Sequence, residues 1–218
     1  MKDAIEAIFD NLDAWRHLPA YQLERRADIF FAAYLPEILH ARFGTMPSHV
    51  IPEFPVHIPT IRPGASGDSS FRIDYLAIST SPAPFIFVEL KTDNSSHRPD
   101  QDLYLKEAAE AGLPTLIGGI SDIYKATKAK RKYDALLKQL DRAGLITFHG
   151  KGMFEIKASN VKPTVVYIQP APDTERDVIH FVEIAQLLEI NPDPLRTRFA
   201  RSLREWATVE PGDDFPAA

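Results

Sequence analysis

Apolar residues recur at helical spacing through LPAYQLERRADIFFAAYLPEILHARFG, with Leu23, Ala27, Phe30, Tyr34 and Ile38 on one stripe. The first 43 residues therefore read as helix, with Gly44 as the stop. Pro36 should kink that helix or begin a second segment. The pattern then changes. In HVIPEFPVHIP the prolines at 52, 55 and 59 forbid a helix and suit an edge strand, and GASGDSS (64–70) has the composition of a turn. Two apolar runs follow, FRIDYLAI and FIFVELK, and read as strands joined over Ser79 to Pro84. RPDQDLYLKEAAEAG predicts a helix with Leu103, Ala108 and Ala111 facing inward and Gly112 near its end. LPTLIGGISDIYKAT and KRKYDALLKQLDRAGL continue as helical segments. KPTVVYIQP reads as a late buried strand, VIHFVEIAQLLE as a short strand leading into a helix, and PLRTRFARSLREWATV as a final helix. The order helix, three strands, helices, strand, helices predicts one α/β domain over residues 1–208, built on a small mixed sheet flanked by helices. The tail from 209 to 218 is expected to fray.

The two apolar runs carry charge where a core strand should not. Asp74 interrupts the first, and Glu89 and Lys91 close the second. A buried unpaired carboxylate costs several kcal/mol, so such charges are usually paired or bound to metal. Suppose the strands pair symmetrically about the midpoint of Ser81 and Pro82. Ile78 then faces Phe85, Leu76 faces Phe87, Asp74 faces Glu89 and Arg72 faces Lys91. Side chains alternate along a strand, so all eight share one face, apolar at one end and charged at the other. Asp74 and Glu89 would repel each other across the pair. A divalent cation reverses that sign: two carboxylates, the backbone carbonyl of Leu90 and waters suit Mg²⁺ or Mn²⁺. Lys91 beside such an ion would orient water and stabilise charge on phosphorus. The plain alternative is a structural cluster in which Lys91 and Arg72 neutralise the two acids.

Composition narrows the setting. Cysteine is absent, which excludes disulfides and thiolate metal sites and makes a reducing compartment natural. No apolar run approaches the roughly 18 residues that span a bilayer, and MKDAIEAIFDNLDAW lacks the pattern of a signal peptide. A cytoplasmic protein with no membrane partner is the expectation. The net charge of −5 argues against binding nucleic acid by bulk charge, while leaving room for a local basic surface.

Asp74 on one strand and Glu89-Leu90-Lys91 on the next resemble the PD-(D/E)XK superfamily, the restriction-endonuclease-like nucleases. The resemblance covers roughly residues 20 to 170 in element order; the proline that often precedes the aspartate is Ile73 here. It implies a restriction-endonuclease-like core with extra C-terminal helices, and a metal-dependent phosphodiesterase that hydrolyses DNA with water activated on Mg or Mn. By the same resemblance, Asp74 and Glu89 are the metal ligands and Lys91 the assisting cation. Glu24, on the first long helix, would support the metal or its water, with Glu37 in reserve. Gln101, in RPDQDLYL, matches a glutamine that recombination-type members carry after the third strand. Tyr104 follows it by three residues where those nucleases commonly show four.

Such an enzyme must hold phosphates. YKATKAKRKY (124–133) has five cations and no acid, and read as one helix it places Lys125, Lys128 and Lys132 on a common face. The final helix adds Arg196, Arg198, Arg201 and Arg204, with Arg201 taken as a further contact. Solvated helix faces are the simpler reading of both. The seven histidines show no metal-ligand spacing, His97 is close enough in sequence to line the pocket, and no nucleotide-loop or serine-elbow motif occurs. Trp15 and Trp206 read as packing residues. The rival function is a catalytically inactive nuclease fold that binds nucleic acid or serves in assembly; cutting both strands would favour a homodimer, and a partner protein could deliver the enzyme.

Overall fold

Asp3 opens the first helix by accepting the Ile5 N–H at 3.2 Å, and Gly44 closes the second in the left-handed conformation at φ 70°, donating to His40 O at 2.8 Å. Between them the chain breaks, because Pro19 disfavours helix at Leu18 and Ala20 takes φ 61°. The protein, a computed structural model describing residues 3–65, 70–80, 84–93 and 99–208, thus begins with α1 (Ala4–Trp15) and α2 (Leu23–Phe43) rather than one continuous helix. The following elements are β1 (His49–His57), α3 (Ile58–Ile61), β2 (Ser70–Ile78), β3 (Phe85–Leu90), α4 (Pro99–Ala111), α5 (Leu113–Ala126) and α6 (Lys130–Arg142). The chain continues through β4 (Ile146–Gly150), β5 (Met153–Ile156), β6 (Thr164–Gln169), β7 (Val178–His180), α7 (Phe181–Glu189) and α8 (Pro194–Trp206). The fold is α/β: a five-stranded sheet in the order β1-β2-β3-β6-β7, mixed because β1–β2 and β2–β3 are antiparallel and β6–β7 parallel.

Several expectations change. Pro36 lies inside α2 without starting a new segment. Leu35, Ile38 and Leu39 around it are 0–2% exposed, and burial of about 1.5–3 kcal/mol per side chain outweighs the roughly 3 kcal/mol cost of the proline. On α4 Ala108 is buried as expected, while Leu103 is exposed and Leu105 faces inward in its place. β1 is an edge strand as its prolines require, although Pro59 falls in α3. The β4–β5 hairpin was not foreseen. Its turn, Gly150-Lys151-Gly152, has three successive positive φ values of 92°, 51° and 75°. The loop at 66–69, His97 and the tail at 209–218 lie outside the described residues. Among the described residues, no helix is long and apolar enough to cross a membrane.

The chain forms two compact units. One comprises the described residues of Met1–Gly44, Leu90–Arg98 and Val166–Ala218, and the other Thr45–Glu89 with Pro99–Val165. The first packs α1, α2, α7 and α8 around Phe9, Phe31, Phe181, Phe199 and Trp206, with Phe31 edge-on to Phe199 at 5.2 Å. Trp206 is a packing residue as expected, whereas Trp15 is 46% exposed. Arg198, 3% exposed on α8, reaches three acids on α1: Glu6 at 3.0 Å, Asp10 at 3.0 Å and Asp13 at 2.6 Å. Burial, which would lower its pKa, is outweighed by the hydrogen bonds to Asp13 and Asp10, so the guanidinium is held above its ordinary value. The second unit packs α5 on β1, with β2 and β3 beyond it.

Candidate functional site

The strand pair has the register read from its sequence. Ile78 faces Phe85, Leu76 faces Phe87, and the paired stretch ends at Tyr75 and Val88. Asp74 and Glu89 come next on their strands. Along one face of β2, Arg72 is exposed, Asp74 half-buried, and Leu76 and Ile78 buried, so charge and grease sort to opposite ends. Arg72 does not neutralise that cluster. Its Nε lies 3.6 Å from Glu53 on β1, where both side chains are about two-thirds exposed. Glu53 itself has φ 52°, between the paired positions Pro52–Tyr75 and Phe54–Ile73.

Glu89 is 1% exposed, and Gln101 Nε2, in the first turn of α4, donates to its Oε1. The sequence order alone placed Gln101 near the strand; the fold brings its amide onto the carboxylate. One turn later Tyr104 stacks on Phe71 of β2, with ring centroids 5.3 Å apart. The Arg62 guanidinium lies over the Tyr104 ring, 4.1 Å from its centroid, and pairs with Glu107 at 2.5 Å. Gln101 and Tyr104 thus anchor the start of α4 on β3 and β2 respectively. Tyr104 acts there as a packing group.

In the other unit, Lys91 is 4% exposed, and its backbone N–H donates to Ile168 O at 2.8 Å. Thr92 beside it is equally buried. Gln169, next to Ile168, is a buried polar residue that sequence reasoning passed over. Its Nε2 donates to Ala171 O at 2.8 Å, which fixes the amide orientation, and its Oε1 meets no donor among the described residues. A lone glutamine ending an apolar run was the available signal. Glu24 stands half-buried in the first turn of α2, where the helix dipole favours an acid. Glu37, the reserve candidate, pairs instead with Arg196 at 2.5 Å.

Asp74 and Glu89 offer only hard oxygen donors. Among the described residues, no group of three or more His, Cys, Asp or Glu side chains is placed to hold a metal. Two carboxylates suit a cation that keeps most of its waters, as Mg²⁺ does, better than one needing a full protein cage. The oxygen that Gln101 engages has its orientation set by that bond.

The basic residues fall differently from the expectation. Lys125 belongs to α5, Lys128 to the break before α6, and Lys132 to α6, so they share no helical face; Thr127 leaves the helix with an extended backbone. Lys125 pairs with Asp122 at 2.9 Å. On α8 the arginines serve ion pairs within their own unit: Arg196 with Glu37, Arg201 with Glu6 and Arg204 with Glu189, alongside buried Arg198. Arg201 thereby joins α8 to α1 through Glu6.

Two open clefts border α1 and α8, one lined by Asp3, Glu6 and Asp193, the other by Asp13, Arg16 and Trp206. Neither includes a residue of the predicted site, and their walls belong to the helix packing described above. In comparison with known proteins, the chain matches no family model, no curated protein and no solved structure.

Proposed function

We propose that this protein is a metal-dependent nuclease with a restriction-endonuclease-like core, acting on DNA. The observation that carries the reading is the β2–β3 register, which ends at Tyr75 and Val88 with Asp74 and Glu89 next on their strands, together with the Gln101 amide bonded to Glu89. The run α2, β1, β2, β3, α4 and the later β6, with sheet order β1-β2-β3-β6, supports the same reading. Asp74, Glu89 and the Leu90 carbonyl would hold Mg²⁺ or Mn²⁺. When bound, the ion supplies positive charge against phosphate oxygens and makes water more acidic. Gln101 keeps the Glu89 carboxylate oriented. Lys91 presents an ammonium to the scissile phosphate, where a positioned cation stabilises the charge that develops, and its burial excludes competing water. Glu24 is assigned a supporting acid role.

The test uses purified protein and Lys91→Ala with linear, circular and single-stranded DNA, in Mg²⁺, Mn²⁺ or EDTA. Cutting should require the metal and fall by about 10²–10³-fold in Lys91→Ala, the scale seen when one transition-state donor is removed. Cutting that survives Lys91→Ala overturns the assignment. Absence of cutting under every condition, with DNA binding retained, would instead favour an inactive nuclease fold used for binding or assembly.

A further inference from the structure

Residues 122–151 contain eight Lys/Arg and three Asp/Glu, a net charge of +5 within a chain whose total is −5. Such asymmetry is the footprint of a polyanion partner when the cations gather on one surface. Here they do. Arg131, Lys138 and Arg142 are exposed on α6 at spacings of seven and four residues, which is one stripe of a helix. Leu137 and Leu140 turn to the core. Lys128 and Lys132 extend the stripe at the N-terminal end of α6, and both are exposed.

The β4–β5 turn is packed on the α5 end of this region. A Cβ on Gly152 would land on the Tyr124 ring, so the glycine lets that ring lie against the turn. Lys130 Nζ sits 4.7 Å above the same ring and donates to the last carbonyls of α5, Tyr124 O and Lys125 O. Lys151, adjacent to Gly152, is therefore held exposed near the α5–α6 junction. The nearby acids are occupied: Asp122 pairs with Lys125, Asp134 takes the Tyr124 hydroxyl, and Asp141 accepts the Phe148 N–H at 3.0 Å. Lys128, Arg131, Lys132, Lys138, Arg142 and Lys151 form no ion pair among the described residues. An ordinary solvated helix balances the signs of its charges; α6 sets five cations against two acids, Asp134 and Asp141.

We infer that the exposed stripe of α6, with Lys128 and Lys151, is a docking surface for the sugar-phosphate backbone of duplex DNA. The choice of DNA over other polyanions rests on the nuclease reading, and the surface takes the place of the shared face expected for Lys125, Lys128 and Lys132. From Arg131 to Arg142 the helix rises about 16 Å, which spans about five phosphates at 3.4 Å per nucleotide of a strand. The stripe is assigned to phosphate and sugar contacts, which position a duplex without reading its bases, so binding should be indifferent to sequence.

Fluorescence anisotropy of a labelled 20-base-pair duplex, in EDTA and over a NaCl series, tests this without any cutting. Each of Arg131→Gln, Lys138→Gln and Arg142→Gln should weaken binding about equally for unrelated sequences and reduce the salt slope by about one. The triple variant should lose most of the affinity while keeping its melting temperature. Lys162→Gln, at a lysine already paired with Glu110, should bind as the parent does. A triple variant with unchanged affinity and slope overturns the inference, as does a parent protein that fails to bind at low salt. Anionic phospholipid vesicles bound more tightly than DNA through the same residues would also overturn it, assigning the surface to a membrane. Failure of the nuclease reading appears separately, as no cutting in Mg²⁺ with the EDTA binding curve intact.

Discussion

A carboxylate that is 1% exposed stays oriented only through the donors around it, and Glu89 has Gln101 Nε2 in that role. Gln101→Leu removes the donor while filling similar space, and on the proposed nuclease reading should lower metal-dependent cutting by about 10–100-fold, the usual consequence of losing a partner of a metal-binding side chain. Gln101→Glu should be worse, since it sets a second negative charge against the first. Turnover measured across a Mg²⁺ titration checks both, because a loosened ligand raises the metal concentration needed. The charged end of the β2–β3 hairpin, at Asp74 and Glu89, was legible in the sequence because charge inside an apolar strand is costly and therefore conspicuous. Arg72 was misassigned for a matching reason: alternation fixes the face of a strand but not whether a neighbouring strand supplies a partner, as Glu53 does. Gln169 went unread because its one signal, a lone amide at the end of an apolar run, is common at strand ends.

At the scale of elements, α5 meets β1 and α3 through a glycine pair whose members differ. A Cβ on Gly119 would lie 2.6 Å from Thr60 Oγ1 and 3.1 Å from His57 Cβ, while one on Gly118 would make an ordinary contact of 3.8 Å with Ile156 Cδ1. Thr60 Oγ1 is also bonded to His57 Nδ1 at 3.0 Å, so it is not free to yield. Gly119→Ala should therefore destabilise the protein by about 1–2 kcal/mol through overpacking. Gly118→Ala should stabilise it by about 0.5–1 kcal/mol through helix propensity. Urea unfolding of the two variants reads the opposite signs directly. The strand register, the edge position of β1 and the β7–α7 unit were all predictable from local pattern. The β4–β5 hairpin was not, because its strands are only five and four residues long and its period-2 signal is short. The α5–α6 boundary was legible as two helical segments, but the common face given to Lys125, Lys128 and Lys132 ran across it, because YKATKAKRKY contains no proline or glycine to mark the break.

Across the whole chain, the first and last described helices meet. Phe9 lies 5.7 Å from Phe199, Trp206 Nε1 donates to Asp13 at 2.8 Å, and Arg198 gathers Glu6, Asp10 and Asp13. Removing the arginine leaves three acids crowded without their common cation. Arg198→Met should cost about 3 kcal/mol, the low end for breaking a buried ion pair because the acids retain some access to water. The reading is a lower urea midpoint with an unchanged slope. The charge of the chain is divided as sharply as its packing: residues 122–151 are basic, and the remainder carries the acidity that sets the net −5.

The α1–α8 clamp also fixes when this protein can finish folding. Asp10 and Arg198 are 188 positions apart, so at synthesis rates of about 5–20 residues per second α1 waits roughly 10–40 s on the ribosome for its partner. During that interval Phe9 and Leu12 have no α8 to cover them, and a chaperone that shields short apolar helices has a defined substrate. Contacts of such separation also slow refolding, since the loop must close before they form.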